Sequence, residues 1–114
     1  MTRLYGIKNC STMKKAMSWL ADNGVAYEFI DYKKAGVAEA NLPDWAARAG
    51  WETLLNKRGL MWKKLSEAER TAVDEAKALQ LMVQYPALIK RPVLDTGAVL
   101  LVGFTPETYA AALA

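Results

Sequence analysis

The sequence predicts an α/β domain in which helices cover one four-stranded mixed sheet, with a helical segment inserted between the two halves of that sheet. Three observations carry the prediction. The first 31 residues read strand, helix, strand; residues 92–114 read strand, strand, helix; and residues 38–88 between them carry helical signals only. With 114 residues, 53% of them hydrophobic and 24% charged, the chain is long enough for one core and too short for two full domains. A chain of this size buries roughly two-thirds of the surface it exposes when unfolded, so it needs neither disulfides nor a structural metal.

Arg3 to Ile7 (RLYGI) is a strand in which Leu4, Tyr5 and Ile7 favour extended backbone. Ser11 or Thr12 caps the helix that follows, whose apolar positions Met13, Ala16, Met17 and Leu20 fall at helical spacing before Asn23-Gly24 ends it. Ala26 to Asp31 (AYEFID) is the second strand, and a crossover helix of this kind joins parallel neighbours in the right-handed sense. In the middle, Asn41 to Ala49 is a short helix with Pro43 near its start, where a missing amide proton costs little. Ser66-Glu67-Ala68-Glu69 is a capping box that opens a longer helix with Ala68, Ala72, Val73, Ala76 and Leu79 on one face, continued by Gln80 to Tyr85. Then the period changes. Pro92 to Asp95 and Ala98 to Gly103 flank Thr96-Gly97 as an antiparallel hairpin. Thr105 caps a terminal helix, Pro106 takes its first position and Glu107 complements its dipole. The order βαβ, helices, ββα is the layout of a thioredoxin-like domain.

Zero histidines and one cysteine exclude zinc fingers, zinc-water hydrolases, histidine general bases and Ser-His or Cys-His dyads. No phosphate-binding loop or dinucleotide fingerprint occurs, and the acidic residues suggest no catalytic pair. The longest apolar stretch, Ala98 to Phe104, is far below the roughly 20 residues of a membrane span, and no segment resembles a signal peptide. The expectation is a soluble, cytoplasmic protein with no membrane partner, and a lone cysteine fits a reducing compartment. The formal charge of +3 conceals a pattern: residues 8–15 carry +3, residues 57–64 (KRGLMWKK) carry +4 and Lys90-Arg91 carries +2, all without an acid. If these segments meet, they form a positive site that the net charge hides.

Cys10 is the residue on which chemistry centres. It lies just after a strand and just before a helix N-terminus, where unpaired amides and the helix dipole favour an anion and lower a thiol's pKa. Lys8, Lys14 and Lys15 add positive charge within a turn. The plain alternative is a buried, inert cysteine; the polar flanks Asn9, Ser11 and Thr12 oppose it. A lowered pKa increases the thiolate fraction but lowers its nucleophilicity, so the larger benefit lies in a better leaving group and in attraction of an anionic substrate. Met13 occupies the position where a CxxC dithiol has its second cysteine. A redox-active Cys10 therefore has no resolving partner in its own chain and depends on an external thiol, either glutathione or a protein such as glutaredoxin.

The segments YGIKNCSTMKKA, GWETLLNKRGLMWKKL, LIKRPVL and VGFTPE, in this order and spacing, resemble the ArsC/Spx/YffB family of arsenate reductase-related thioredoxin-fold proteins, and YGIKNC-x-T-M-K-K with LLN-x-RG is most similar to the YffB branch. The resemblance covers nearly the whole chain as one domain. It implies a glutathione-dependent thiol-disulfide oxidoreductase with no tightly bound cofactor, in which Cys10 is the redox thiol, Arg91 stabilises an anion beside it and Pro92 is a cis-proline facing it. Lys8, Asn9, Ser11, Thr12, Lys14 and Arg58 complete the expected substrate-binding or anion-binding set, and no metal is expected. Of the three arginine positions that arsenate reductases of the family place around the cysteine, two hold Asn56 and Phe104 here; only Arg91 matches, with Arg58 two residues from Asn56. Amide and phenyl do not replace a bidentate guanidinium, which weakens glutaredoxin-coupled arsenate reduction as the alternative. A further alternative is an Spx-like regulator that binds RNA polymerase without catalysis; Met13 counts against its CxxC form. Trp19, Trp45, Trp51 and Trp62 are read as packing residues, and the KRGLMWKK segment as a solvated loop beside the thiol site rather than a nucleic-acid surface.

Overall fold

The computed structural model describes residues 1–113. It divides into two compact units, a sheet unit made of Met1–Tyr32 and the chain from Arg91 onward, and a helical unit, Lys33–Lys90.

In the sheet unit, β1 (Arg3–Gly6), β2 (Glu28–Asp31), β3 (Val93–Asp95) and β4 (Leu100–Val102) form one sheet in the order β2-β1-β3-β4. Strands β1 and β2 are parallel, and the other two pairs are antiparallel. The crossover between the parallel pair is α1 (Ser11–Asp22), and α7 (Pro106–Leu113) follows β4. This is the mixed sheet that the order of elements predicts. Leu4, Met13, Ala16, Leu20, Leu94 and Tyr109 form its core, so the apolar stripe of α1 and the inward positions of β1 and β3 meet under α7. Gly6 permits the closest approach: a Cβ there would fall 2.3 Å from Sδ of Met13, so any larger residue would displace that side chain. Thr105 caps α7 as expected, its Oγ1 accepting from the amide of Thr108 at 3.1 Å.

Topology determines where the chemistry collects. Parallel pairing brings the carboxyl ends of β1 and β2 to one end of the sheet, with Gly6 opposite Asp31. Antiparallel pairing starts β3 at that same end, with Tyr5 opposite Val93. The residues just after β1, just after β2 and just before β3 therefore converge.

The helical unit contains α2 (Val37–Ala49), α3 (Trp51–Leu54), α4 (Leu60–Lys64), α5 (Glu67–Arg70), α6 (Glu75–Gln84) and a 3₁₀ turn, Pro86–Leu88. Three expectations are corrected here. Helix α2 begins at Val37 rather than Asn41, and Pro43 stands inside it. Asn41 does not start the helix; its side chain donates to the carbonyl of Val37 at 2.8 Å within it. The capping box at Ser66 is present, but it opens only α5, because Ala72 adopts φ 51° and turns the chain before Asp74 caps α6. Part of KRGLMWKK is helix α4 rather than loop. Trp45 is fully buried, while Lys57 Nζ lies 5.5 Å from the ring centroid of the half-buried Trp62. No helix among the described residues is long and apolar enough to cross a membrane.

Candidate active site

Helix α1 starts on Cys10, not on Ser11 or Thr12: Cys10 is its N-cap, with φ −97° and ψ 133°, and its carbonyl accepts from the amide of Lys14 at 3.0 Å. Cys10 reaches that position from a turn at Lys8 and Asn9, in which Asn9 takes the left-handed conformation with φ 65°. Asparagine is among the few residues that adopt it readily. The helix start is thus left without an oxygen cap, and no side-chain cap hydrogen bond replaces it.

The sulfur, half-buried, has a specific donor. Arg91 Nε donates to Cys10 Sγ at 3.3 Å, and Arg91 Nη1 donates to the hydroxyl of Tyr32 at 3.4 Å. The Arg91–Pro92 peptide is cis, as the resemblance implies, and Pro92 is buried. Burial pushes the Cys10 thiol up, but the amide of Met13, the Arg91 hydrogen bond, the amide of Thr12 and the charge of Arg91 together outweigh it and hold the thiol below its ordinary value. Because the sulfur closes no regular cap bond, the two amides act as aligned dipoles at the helix start. The arginine in turn is held cationic: burial opposes its charge, and Tyr32 and Cys10 more than compensate. Tyr32 is fully buried, and that burial raises its phenol against the opposing pull of Arg91.

Of the predicted residues, Cys10 and Arg91 are in contact, and the backbone of Thr12 faces the sulfur. Lys8, Asn9, Ser11 and Lys14 are exposed around the helix start. Lys8, Lys14 and Lys15 are not among the principal influences on the sulfur, so the expected cationic setting comes from one arginine and two amides instead. Arg58 belongs to the helical unit, where its amide donates to Asn56 Oδ1 at 3.0 Å and its side chain lines a pocket with Lys57 and Lys90. Phe104 packs edge-on against Tyr109, 4.7 Å between ring centroids. Met13, at the second-cysteine position of a dithiol protein, is a core residue. Tyr32 escaped the sequence reading. The signal available for it was its place, one residue past the carboxyl end of the strand that lies parallel to the one delivering Cys10.

A single ionisable sulfur at a helix start, faced by a guanidinium at the switch point of a mixed sheet, defines a thioredoxin-like domain equipped for thiol chemistry. The ArsC family model matches residues 5–112, and the chain belongs to that family. A solved structure of a YffB protein is 53% identical, covers all of both chains and superposes with a TM-score of 0.94. An arsenate reductase (ArsC) related protein from Brucella melitensis is 47% identical over 96% of this chain and 92% of its own, with a TM-score of 0.77. An uncharacterized protein of Haemophilus influenzae is 39% identical over the full length of both.

Proposed function

We propose that the protein is a glutathione-dependent thiol-disulfide oxidoreductase that works through Cys10 alone. The observation that carries this reading is the 3.3 Å hydrogen bond from Arg91 Nε to the sulfur of the one cysteine in the chain. In the first step the Cys10 thiolate attacks the glutathionyl sulfur of a mixed disulfide. The old S–S bond breaks, the substrate leaves as a thiolate that takes a proton from water, and Cys10 is left as a glutathione mixed disulfide. In the second step the thiolate of free glutathione attacks that glutathionyl sulfur, releasing Cys10 as thiolate together with oxidised glutathione. The substrate gains two electrons and glutathione loses them. Arg91 contributes to the second step, because the group that stabilises the Cys10 thiolate makes it the better leaving group. Glutathione is then a co-substrate, not a resident cofactor.

The test begins with purified protein and oxidised glutathione. Intact-mass spectrometry is expected to show one glutathionyl adduct, mapped to Cys10 and removed by reduced glutathione. Turnover of a small mixed disulfide, coupled to glutathione reductase, is expected to vanish in Cys10→Ser. An unmodified Cys10, or turnover that survives the substitution, overturns the reading.

Glutaredoxin-coupled reduction of arsenate is a second reading, favoured by one detail. Arg91 uses Nε and Nη1 on Cys10 and Tyr32, and its Nη2 makes no hydrogen bond among the described residues, which leaves a donor for an oxyanion beside the sulfur. Arsenate-dependent turnover with glutaredoxin that is lost in both Cys10→Ser and Arg91→Ala supports it; no turnover with several glutaredoxins dismisses it.

A further inference from the structure

We propose that a pocket of the helical unit, lined by Asn56, Lys57, Arg58 and Lys90, binds a phosphate dianion, either free or as the charged group of a small organic phosphate. The inference goes beyond the thiol reading and does not depend on it. Neither Cys10 nor Arg91 lines the pocket, and every residue that does lies within Lys33–Lys90.

The chain builds this pocket by pairing two distant segments. Leu55 and Ile89 form an antiparallel bridge, beside which the amide of Asn56 donates to the carbonyl of Leu88 and the amide of Lys90 to the carbonyl of Leu54, both at 2.8 Å. All four of these apolar residues are buried, so the bridge is anchored. Asn56 and Lys90, each one residue beyond a bridge partner, are thereby held in place. Lys57 and Arg58 follow in a tight turn, closed by the Arg58 amide donating to Asn56 Oδ1 at 3.0 Å. Two of the acid-free basic runs in the sequence, 57–64 and 90–91, therefore meet here through Lys57, Arg58 and Lys90.

The charge gathered there is not balanced within the protein. The lining holds these three cations and one acid, Glu52, and among the described residues none of the four makes a side-chain ion pair. Lys57 Nζ lies 5.5 Å from the ring centroid of Trp62, a contact that places the cation without neutralising it. The excess of two positive charges matches a dianion, whereas a carboxylate would offset half of it. Asn56 adds a neutral donor: its Oδ1 is taken by the Arg58 amide, and its Nδ2 makes no hydrogen bond among the described residues. Gly59 makes room for that amide. Its φ of −81° is open to any residue, but a Cβ there would fall 2.8 Å from Asn56 Nδ2. A guanidinium, ammonium groups and an amide donor around one space suit the oxygens of a phosphate. The volume, about 390 Å³, is at the small end of small-molecule sites and leaves room for a short organic part against the buried Leu55.

The test titrates the full-length protein with inorganic phosphate, glycerol 3-phosphate and acetate, at constant ionic strength and at about pH 8, where a phosphate monoester carries close to two charges. Amide chemical shifts are expected to move saturably at residues 52–59 and 88–90 with both phosphates, and acetate is expected to bind about tenfold more weakly or worse. Tighter binding of glycerol 3-phosphate than of inorganic phosphate assigns the pocket to an organic phosphate; equal binding assigns it to the free ion. Arg58→Gln with Lys90→Gln is expected to weaken phosphate binding about tenfold, roughly threefold for each cation. Lys63→Gln with Lys64→Gln removes the same charge from α4, outside the lining, and is expected to change affinity by less than about twofold. Gly59→Ala keeps every charge and is expected to weaken binding by displacing Asn56. Shifts spread over the basic surface, equal losses in the two double variants, or acetate bound as tightly as phosphate overturn the proposal, because each would mean diffuse attraction to a cationic protein rather than a site.

Discussion

Helices α5 and α6 of the helical unit start on oxygen, whereas α1 of the sheet unit starts on sulfur. At α5, Ser66 Oγ accepts from the amide of Glu69 at 3.1 Å, and Glu69 Oε1 accepts from the amide of Ser66 at 2.9 Å. At α6, Asp74 Oδ1 accepts from the amide of Lys77 at 2.9 Å. An oxygen cap is worth about 1 kcal/mol, and α1 goes without one. What α1 has instead is a thiol lowered by two amides and by Arg91. The same dipole that stabilises a helix start in one unit stabilises a nucleophile in the other. Helices α2, α3 and α4 also lack a side-chain cap, but they start on glycine; at α1 the uncapped start carries an ionisable sulfur, and there it holds charge rather than adding stability.

The largest effect that tests this contrast is expected from Arg91→Ala. It removes the charge-assisted hydrogen bond to the sulfur, so the pH midpoint of Cys10 alkylation by iodoacetamide is displaced upward, while the rate at neutral pH falls only about two- to fivefold because the more basic thiolate is the better nucleophile. The counterpart in the helical unit is Ser66→Ala, which costs about 1 kcal/mol of stability to denaturant and leaves the alkylation rate where it was. Equal alkylation rates in Arg91→Ala and the unsubstituted protein would break the contrast.

Much of the sheet unit was legible because its elements carry local signals that agree with their surroundings. Leu4, Met13, Ala16 and Leu20 announce a strand and a helix by their spacing, and all four are core residues. Thr105-Pro106-Glu107 announces a helix start, and one occurs there. Cys10 stood out by being alone, and Arg91 by family resemblance. Tyr32 did not, since its contact with Arg91 spans 59 residues and depends on strand pairing that no local pattern reveals. In the helical unit the periodicity from Ala68 to Leu79 looks continuous, yet Ala72 turns left-handed between two short helices. Alanine at φ 51° runs against propensity; the contacts recorded at the turn are the Asp74 cap and Lys77 Nζ donating to the carbonyls of Ala68 and Thr71, which apolar periodicity does not reveal. Pro43 misled for the opposite reason: it usually marks a first turn, and here it stands in the second.

Those two left-handed residues give a finer comparison. Ala72 at φ 51° and Asn9 at φ 65° share a conformation that costs ordinary L-residues about 1 to 2 kcal/mol. Ala72→Gly relieves that cost, and the net gain after the greater freedom of unfolded glycine is about 0.5 to 1 kcal/mol, read as a higher urea midpoint with an unchanged slope. Asn9→Gly is expected to be closer to neutral, because asparagine already tolerates the conformation. A destabilised Ala72→Gly protein would mean that its methyl group, exposed though it is, holds the α5–α6 turn.

The smallest effect separates the units by pH. Glu69 is held below the ordinary carboxylate value, first by its hydrogen bond from the Ser66 amide. A depressed acid contributes stability that is present above its unfolded pKa and disappears as pH falls through its folded value. For Glu69 that window lies at and below the ordinary carboxylate range. Cys10, also depressed, obeys the same sign in another window: burial raises it, the amides and Arg91 lower it further, and the net contribution is complete only above the ordinary thiol value and declines as pH falls to the lowered one. Unfolding in urea across pH, with and without each group, reads the two windows separately. The difference between the unsubstituted protein and Cys10→Ser is expected to grow with pH from the lowered thiol value to the ordinary one and to be flat below it. The difference made by Glu69→Gln is expected to shrink only in acid. A Cys10→Ser difference that is constant across the neutral and alkaline range would mean that the native fold does not favour the thiolate, and the sulfur at the start of α1 would then be a packing residue with no share in holding charge.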